Sequence, residues 1–259
     1  MLPAAPPVSS SRPRVWLDID IGGHRAAHAL ACEFVSARWK SLGLSSCELR
    51  KLGGSERARL AEYASCEPAW ASRGRFEVYP ARAERLVVAL YADAAPTCAA
   101  NFAALCTGEK GAAKGSGLPL CYRGSRFFRA TPGFLQAGDF VYSNGAGGES
   151  IWGGSFKDDK KALALSHNRR GILSMSNTGR NSNGSQFFIA LTPLRHLDGK
   201  HCVFGEVVEG WEVLDAMAAV PLSDESPTIP IVIADCGRCD AAGVCIGGGG
   251  GGGGGGDTR

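Results

Sequence analysis

"RVWLDIDIGG", Arg14 to Gly23, alternates Val15, Leu17, Ile19 and Ile21 with Trp16, Asp18 and Asp20. A period of two sends successive side chains to opposite faces, so this stretch reads as a strand with one buried face. Outward from it the same kind of run recurs: "RLVVALYAD", "GILSMSN", "QFFIALT", "HCVFGEVVEG" and "IPIVIADCG", each bounded by glycine-rich or polar turns. Many short strands point to a barrel or sandwich. Two helices interrupt them. In "APTCAANFAALCTG" Pro96 suits the opening turn, Phe102, Leu105 and Cys106 share a face, and Gly108 can end the helix. In "WEVLDAMAAV" the residues Val213, Leu214, Met217 and Val220 are apolar. Strands with two helices predict a closed sheet whose open ends the helices cover.

Two regions fall outside this plan. Residues 25–84 separate the first two strands and carry "HALACEFVSARWKSLG", with Leu30, Phe34, Val35, Trp39 and Leu42 near helical spacing, then a second helical stretch at Ser55 to Ser65. They read as an inserted, partly helical subdomain. Residues 239–259 end in ten consecutive glycines, Gly247 to Gly256, which cannot bury enough surface to offset their chain entropy. A flexible tail is predicted there, and a flexible leading segment over 1–13, "MLPAAPPVSSSRP".

The 259 residues, 44% hydrophobic, suit a globular chain, and the 28 basic and 25 acidic residues are interleaved without a basic run. Nucleic acid is therefore not an expected partner. No apolar stretch approaches a secretory signal or a membrane helix, so a cytoplasmic protein with no membrane partner is expected. Ten cysteines without a signal peptide read as mostly reduced thiols.

Several motifs carry nothing further. "TGEKG" lacks the spacing and the Ser or Thr of a phosphate-binding loop. Cys236 and Cys239 make one C-x-x-C, but no second pair or nearby histidine completes a zinc site, so no metal and no cofactor is expected. His201 and Cys202, adjacent on a strand, point to opposite faces and cannot share a proton.

The informative regions are "FFRATPGFLQAGDF", "NGAGGESIWGGSF" and "SMSNTGRNSNGSQFFIALTPLRHLDGKHCVFGEVVEG". Together and in order, with the insertion removed, they resemble the cyclophilin family of peptidyl-prolyl cis-trans isomerases over 14–238. The resemblance implies an eight-stranded antiparallel barrel capped by two helices. It implies rotation about Xaa-Pro bonds of polypeptide substrates, with Arg129 hydrogen bonding the prolyl nitrogen. The proline pocket maps to Phe134, Leu135, Phe188, Leu197 and His201. Gln136 and Gln186 match residues that line the site, and Asn177 matches one that grips the substrate backbone.

The chain departs from the family pattern in several places. "FLQAGDF" is one residue shorter than the usual form, His196 replaces a frequent tryptophan, and Phe128 replaces a histidine. Ser176 and Thr178 stand where small alanines are frequent. Reduced affinity for cyclosporin, the family's usual ligand, is the expectation. The extra segment Lys114 to Leu120 resembles the divergent-loop subgroup. The matching positions for that subgroup's two cysteines and glutamate are Cys106, Cys236 and Glu149, which implies a redox-regulatory pair. The alternative reading is a proline-peptide binding or scaffold module that acts through a protein partner of its insertion.

Overall fold

The structure is a computed structural model that describes residues 12–79, 84–240 and 244–245. In chain order its elements are β1 (Arg14–Ile21), α1 (His24–Arg38), α2 (Gly54–Cys66), α3 (Pro68–Ala71), β2 (Arg85–Leu90), α4 (Pro96–Thr107), β3 (Arg129–Ala130) and β4 (Phe134–Ala137). There follow α5 (Lys160–Leu163), β5 (Ile172–Met175), β6 (Phe187–Ala190), β7 (Val203–Glu209), α6 (Trp211–Ala218), β8 (Leu222–Ser223), β9 (Ser226–Pro227) and β10 (Ile231–Arg238). Eight strands make one sheet in the order β10-β1-β2-β7-β5-β6-β4-β3, and every neighbouring pair is antiparallel.

The sheet curls, but the closed barrel expected from the sequence is corrected to an open-edged one. Its edge strands, β3 and β10, share no ladder. The chain ahead of β3 meets β10 through one isolated bridge, Arg126 with Val232, and through the bonds Phe127 N to Ile231 O and Ile233 N to Ser125 O, both 2.9 Å. That chain is irregular, with Gly124 at φ +85° and Ser125 N turned back to Tyr122 O, so its bonds to β10 do not continue as a regular ladder.

The concave side of the sheet holds the core. Val15, Leu17 and Ile19 of β1 and Leu86, Val88 and Leu90 of β2 pack there with Phe102 of α4. The Phe102 ring lies 5.2 Å from Tyr122, 4.9 Å from Phe187 and 5.0 Å from Phe204, which ties α4 to the sheet through edge and tilted aromatic contacts. Pro96 opens α4 and Gly108, at φ +70°, ends it, as the sequence predicts. Its first turn has no cap of its own; the Asp159 carboxylate accepts from Thr97 N at 3.0 Å and Cys98 N at 2.9 Å instead. The second expected helix is α6, with Val213, Leu214 and Met217 buried.

The other face of β1 is covered as well, which the alternation alone did not suggest. Trp16 packs with Val87 and Cys239 beneath the Arg85 guanidinium, 4.1 Å from its ring. Asp18 is held by Arg85 at 2.6 and 3.0 Å and by Arg25 at 3.2 Å, so its burial is matched by paired charge. Arg25 belongs to α1, whose first turn also donates its backbone N–H to Asp20 at 3.1 Å.

Helices α1, α2 and α3 gather around their own cluster, in which Phe34 makes edge contacts with Trp70 at 5.2 Å and Phe76 at 5.5 Å. Leu30 and Val35 lie in that cluster, with Trp39 and Leu42 packed against it from beyond the end of α1. The two ends of this segment meet at the β1–β2 ladder, where Ile19 N donates to Glu84 O at 2.7 Å.

Residues 1–11 and 246–259, on which most of the predicted flexible ends fall, lie outside the described residues. Immediately after β10, Cys239 is buried and disulfide-bonded to Cys245, whose carbonyl accepts from Arg85 Nη1 at 3.1 Å.

Candidate active site

The strand register assembles the site. Arg129 on β3 stands opposite Gln136 on β4, and Gln136 stands opposite Phe188 on β6. A groove of about 640 Å³ runs across these strands. The sequence-predicted residues Arg129, Phe134, Gln136, Ser176, Asn177, Gln186, Phe188, Leu197 and His201 all line it, with Gly145 to Gly148 on the facing loop.

Two of the expected residues do not. Leu135 is 1% exposed and packs into the core cluster. Strand alternation explains this correction: Phe134 and Gln136 turn toward the groove, so Leu135 and Ala137 turn inward. His196 is exposed on a short 3₁₀ turn and is not among the lining residues.

One end of the groove is an apolar slot. Phe134 and Phe188 are 5.6 Å apart, and His201 meets Phe188 edge-on at 5.6 Å. His201 Nδ1 lies 3.0 Å from the Met175 carbonyl, an acceptor, so that nitrogen carries the proton. Burial, the largest influence, holds the His201 pKa below the ordinary histidine value, and the ring serves as a neutral wall. Behind Phe188 the buried His167 ring stacks at 5.7 Å. His167 Nδ1 donates to Asp198 at 2.8 Å while Nε2, 2.9 Å from Ser174 Oγ, accepts from that hydroxyl. The sequence reading missed this backing; only the polar residues His167, Ser174 and Asp198 near apolar runs hinted at it.

Arg129 stands at the rim. Its guanidinium lies 5.2 Å above the Phe134 ring and its Nε donates to Glu225 Oε2 at 2.7 Å. No other side-chain hydrogen bond is made by Arg129 among the described residues, so both terminal nitrogens are open to a ligand. Glu225 was also missed, because the β8–β9 hairpin that carries it is remote in sequence.

The polar side of the groove is a chain of amides. Gln136 Nε2 donates to Ser176 Oγ at 2.9 Å and Gln186 Oε1 at 3.0 Å; Gln186 Nε2 donates to Gly145 O at 2.8 Å and Gly147 O at 2.9 Å. The glycine loop is shaped by Asp139, which accepts from the N–H groups of Val141, Tyr142, Asn144, Gly145 and Gly147. Burial alone would raise the Asp139 pKa, but these donors hold it below the usual carboxylate range. Gly148, at φ +94°, lets the loop approach Ser185, whose Oγ would lie 2.2 Å from an added Cβ. Asn177 Nδ2 reaches Lys200 O at 3.1 Å.

Among the described residues no carboxylate and no thiol lines the groove. It offers a fixed cation, an apolar slot and amide oxygens whose own N–H groups are already engaged, which suits holding a ligand better than cleaving one. Of the other expected positions, Glu149 Oε1 accepts from Gly115 N at 3.0 Å, joining the extra loop to the groove's glycine loop. Cys106 and Cys236 are both buried with free thiols.

A curled antiparallel sheet that carries an open groove with a cation, an apolar slot and a row of amides defines the class of half-barrel β proteins to which the chain belongs. Residues 76–238 match the family described as Cyclophilin type peptidyl-prolyl cis-trans isomerase/CLD, and the chain belongs to that family. It is also similar to the peptidyl-prolyl cis-trans isomerase cyp11 of Rhizopus delemar, 49% identical over 159 residues, which is 61% of this chain and 46% of that protein. The chain thus spans about half the length of the curated relative it matches. Strand β1 and most of the insertion lie ahead of the matched residues.

Proposed function

We propose that the chain is a peptidyl-prolyl cis-trans isomerase that binds proline-containing polypeptides in this groove, with Arg129 as the catalytic donor. The observation that carries the reading is the Arg129 guanidinium at the rim of the slot formed by Phe134, Phe188, Leu197 and His201. An Xaa-Pro amide rotates over a barrier of about 18–20 kcal/mol set by its partial double bond. As it twists, the nitrogen becomes pyramidal and regains a lone pair. A fixed donor at that nitrogen therefore stabilises the twisted amide more than the planar one. A guanidinium is permanently charged and cannot act as a base, so it donates without competing proton transfer.

A charge-assisted hydrogen bond contributes about 1.5–3 kcal/mol, one to two decades of rate. The remainder is assigned to the apolar slot, which fixes the proline ring while the preceding carbonyl swings. The side-chain oxygens of Asn177, Gln136 and Gln186 accept from the substrate backbone in this reading, their N–H groups being engaged within the protein. The cytoplasm is the compartment that goes with it.

The test is isomerisation of an Xaa-Pro peptide followed in a protease-coupled assay for wild type and Arg129→Ala. The variant should keep its thermal unfolding midpoint, because the side chain is half exposed at the rim, and lose at least about tenfold in rate. Near-normal activity would remove Arg129 from the mechanism.

A second reading is favoured by the insertion's separate cluster around Phe34 and Trp70. In it the insertion docks a protein partner, and turnover in the groove is incidental. Loss of a cellular phenotype on insertion removal, with isomerisation intact, would favour it.

A further inference from the structure

The extra loop after α4 ends at Cys121, and the chain folds so that this residue lies between α4 and β10. Tyr122 N donates to Leu105 O at 3.0 Å, beside Cys106 on α4. Gly124 N donates to Ile233 O at 2.8 Å, and Arg123 pairs with Asp235 at 2.6 Å, next to Cys236 on β10. Three free thiols, Cys106, Cys121 and Cys236, thereby meet at one place, although 115 positions separate Cys121 from Cys236 (236 − 121). Among the described residues they do not form a metal-holding group.

The three thiols are not equivalent. Cys106 is 1% exposed and Cys236 4%, whereas Cys121 is open to solvent on one side. Cys121 packs against the core cluster to which Cys106 and Cys236 both belong. Arg123 N also donates to Cys121 Sγ at 3.4 Å. The groups around Cys121 are therefore Arg123 on its own segment, Cys106 on α4, and Asp235 and Cys236 on β10, with the Asp235 charge already engaged by Arg123.

We propose that Cys121 is a peroxide-reactive thiol and Cys236 its resolving partner, so that hydrogen peroxide converts the pair to a Cys121–Cys236 disulfide. Cys121 thiolate attacks one peroxide oxygen, the O–O bond breaks, and the leaving oxygen takes a proton and departs as water. The sulfur has given up two electrons and is left as a sulfenic acid. The Cys236 thiol then displaces the hydroxyl from Cys121 sulfur; the S–S bond forms and a second water carries away the Cys236 proton. Support comes from the acidity order. The hydrogen bond from Cys236 lowers the Cys121 pKa to about 6, with burial opposing and Arg123 assisting, while burial holds Cys106 well above the usual thiol value. Cys121 is thus the thiol with both access and thiolate character. This assignment differs from the Cys106–Cys236 pair that the family resemblance implies, and it is independent of the role of Arg129.

The test uses the full chain with the exposed Cys32, Cys47 and Cys66 replaced by serine, treated with hydrogen peroxide, alkylated and mapped by mass spectrometry. A linked Cys121–Cys236 peptide is expected in this background and in Cys106→Ser. In Cys236→Ser, dimedone should label Cys121 as its sulfenic acid, and Cys121→Ser should abolish the linked peptide. A linked Cys106–Cys236 peptide in place of Cys121–Cys236, or unlabelled Cys121 in Cys236→Ser, would overturn the proposal. Because Cys236→Ser leaves Cys121 in place, the labelling arm decides the matter even if Cys121→Ser folds poorly.

Discussion

Arg129 and Glu225 form an ion pair, Nε to Oε2 at 2.7 Å, that joins the groove rim to the turn of the β8–β9 hairpin. The backbone fixes the carboxylate there. Asp224 and Glu225 adopt φ +47° and +60°, and Glu225 O accepts from Ala130 N at 2.7 Å. Both side chains are about half exposed, so the pair contributes little to stability. Its consequence is orientation: the Nε is engaged by the carboxylate while the residue lines the groove. Glu225→Ala should reduce kcat/KM about two- to fivefold, far less than Arg129→Ala, with unfolding unchanged. High salt should shrink the gap between wild type and variant. Equal rates at low salt would show that Glu225 does not orient the arginine.

Removal of the insertion should leave a folded chain that keeps the activity proposed for the groove. Its ends meet at the β1–β2 ladder, and its helices close on their own cluster. A Gly-containing turn replacing 25–84 forfeits the Arg25 contact to Asp18 but keeps the two-bonded Arg85–Asp18 pair. Isomerisation is expected within about twofold of the full chain, since closing a shorter loop costs little. Circular dichroism and the coupled assay check this; an unfolded product would make the insertion part of the sheet's own core.

His196 is exposed beside Leu197, which lines the slot. Indole in place of imidazole would add roughly 50 Å² of apolar surface to a large cyclic ligand that extends past the slot. His196→Trp should therefore tighten cyclosporin binding by about tenfold, near 1.4 kcal/mol. Isothermal titration calorimetry measures it, and an unchanged Kd would place His196 outside the ligand's reach.

Acidification should destabilise the fold in a defined window. Burial, outweighing the Asp198 contact, holds the His167 pKa below its ordinary value, and His201 is depressed as well. The unfolded chain takes up these protons near pH 6.5 while the folded chain does not, so stability is full above about pH 6.5 and falls as pH drops toward the folded values. Asp198, also depressed, adds a loss only below about pH 4. Urea midpoints between pH 8 and 5 should decline in wild type and decline less steeply in His167→Asn. Parallel slopes would assign the window to other groups.

Strands β1, β2, β5, β6, β7 and β10 and the two sheet-covering helices were legible from pattern, and the groove residues Arg129, Phe134, Gln136, Asn177, Phe188 and His201 through the family resemblance. Period-two runs, Pro96, Gly108 and contiguous motifs are local signals, set by backbone geometry within a few residues. Strand β1 was readable from alternation alone, outside the stretch that the family match covers. Leu135 shows the limit even there. The motif suggested the groove, but the one-residue-shorter segment and the strict alternation of β4 turned it inward.

What only the tertiary structure decided depends on contacts between distant segments. Nothing near Arg129 announces Glu225, 96 positions away; nothing in the regular alternation of β1 shows that Arg85 and Arg25 bury Asp18 on its far face. The open edge between β3 and β10 follows from one irregular approach at Gly124, and the meeting of Cys121 with Cys236 from the way the loop returns across α4. Periodicity and motif spacing encode each segment's local geometry. The partner of a charge or a thiol is set by how the whole chain packs, and a single sequence records that only weakly.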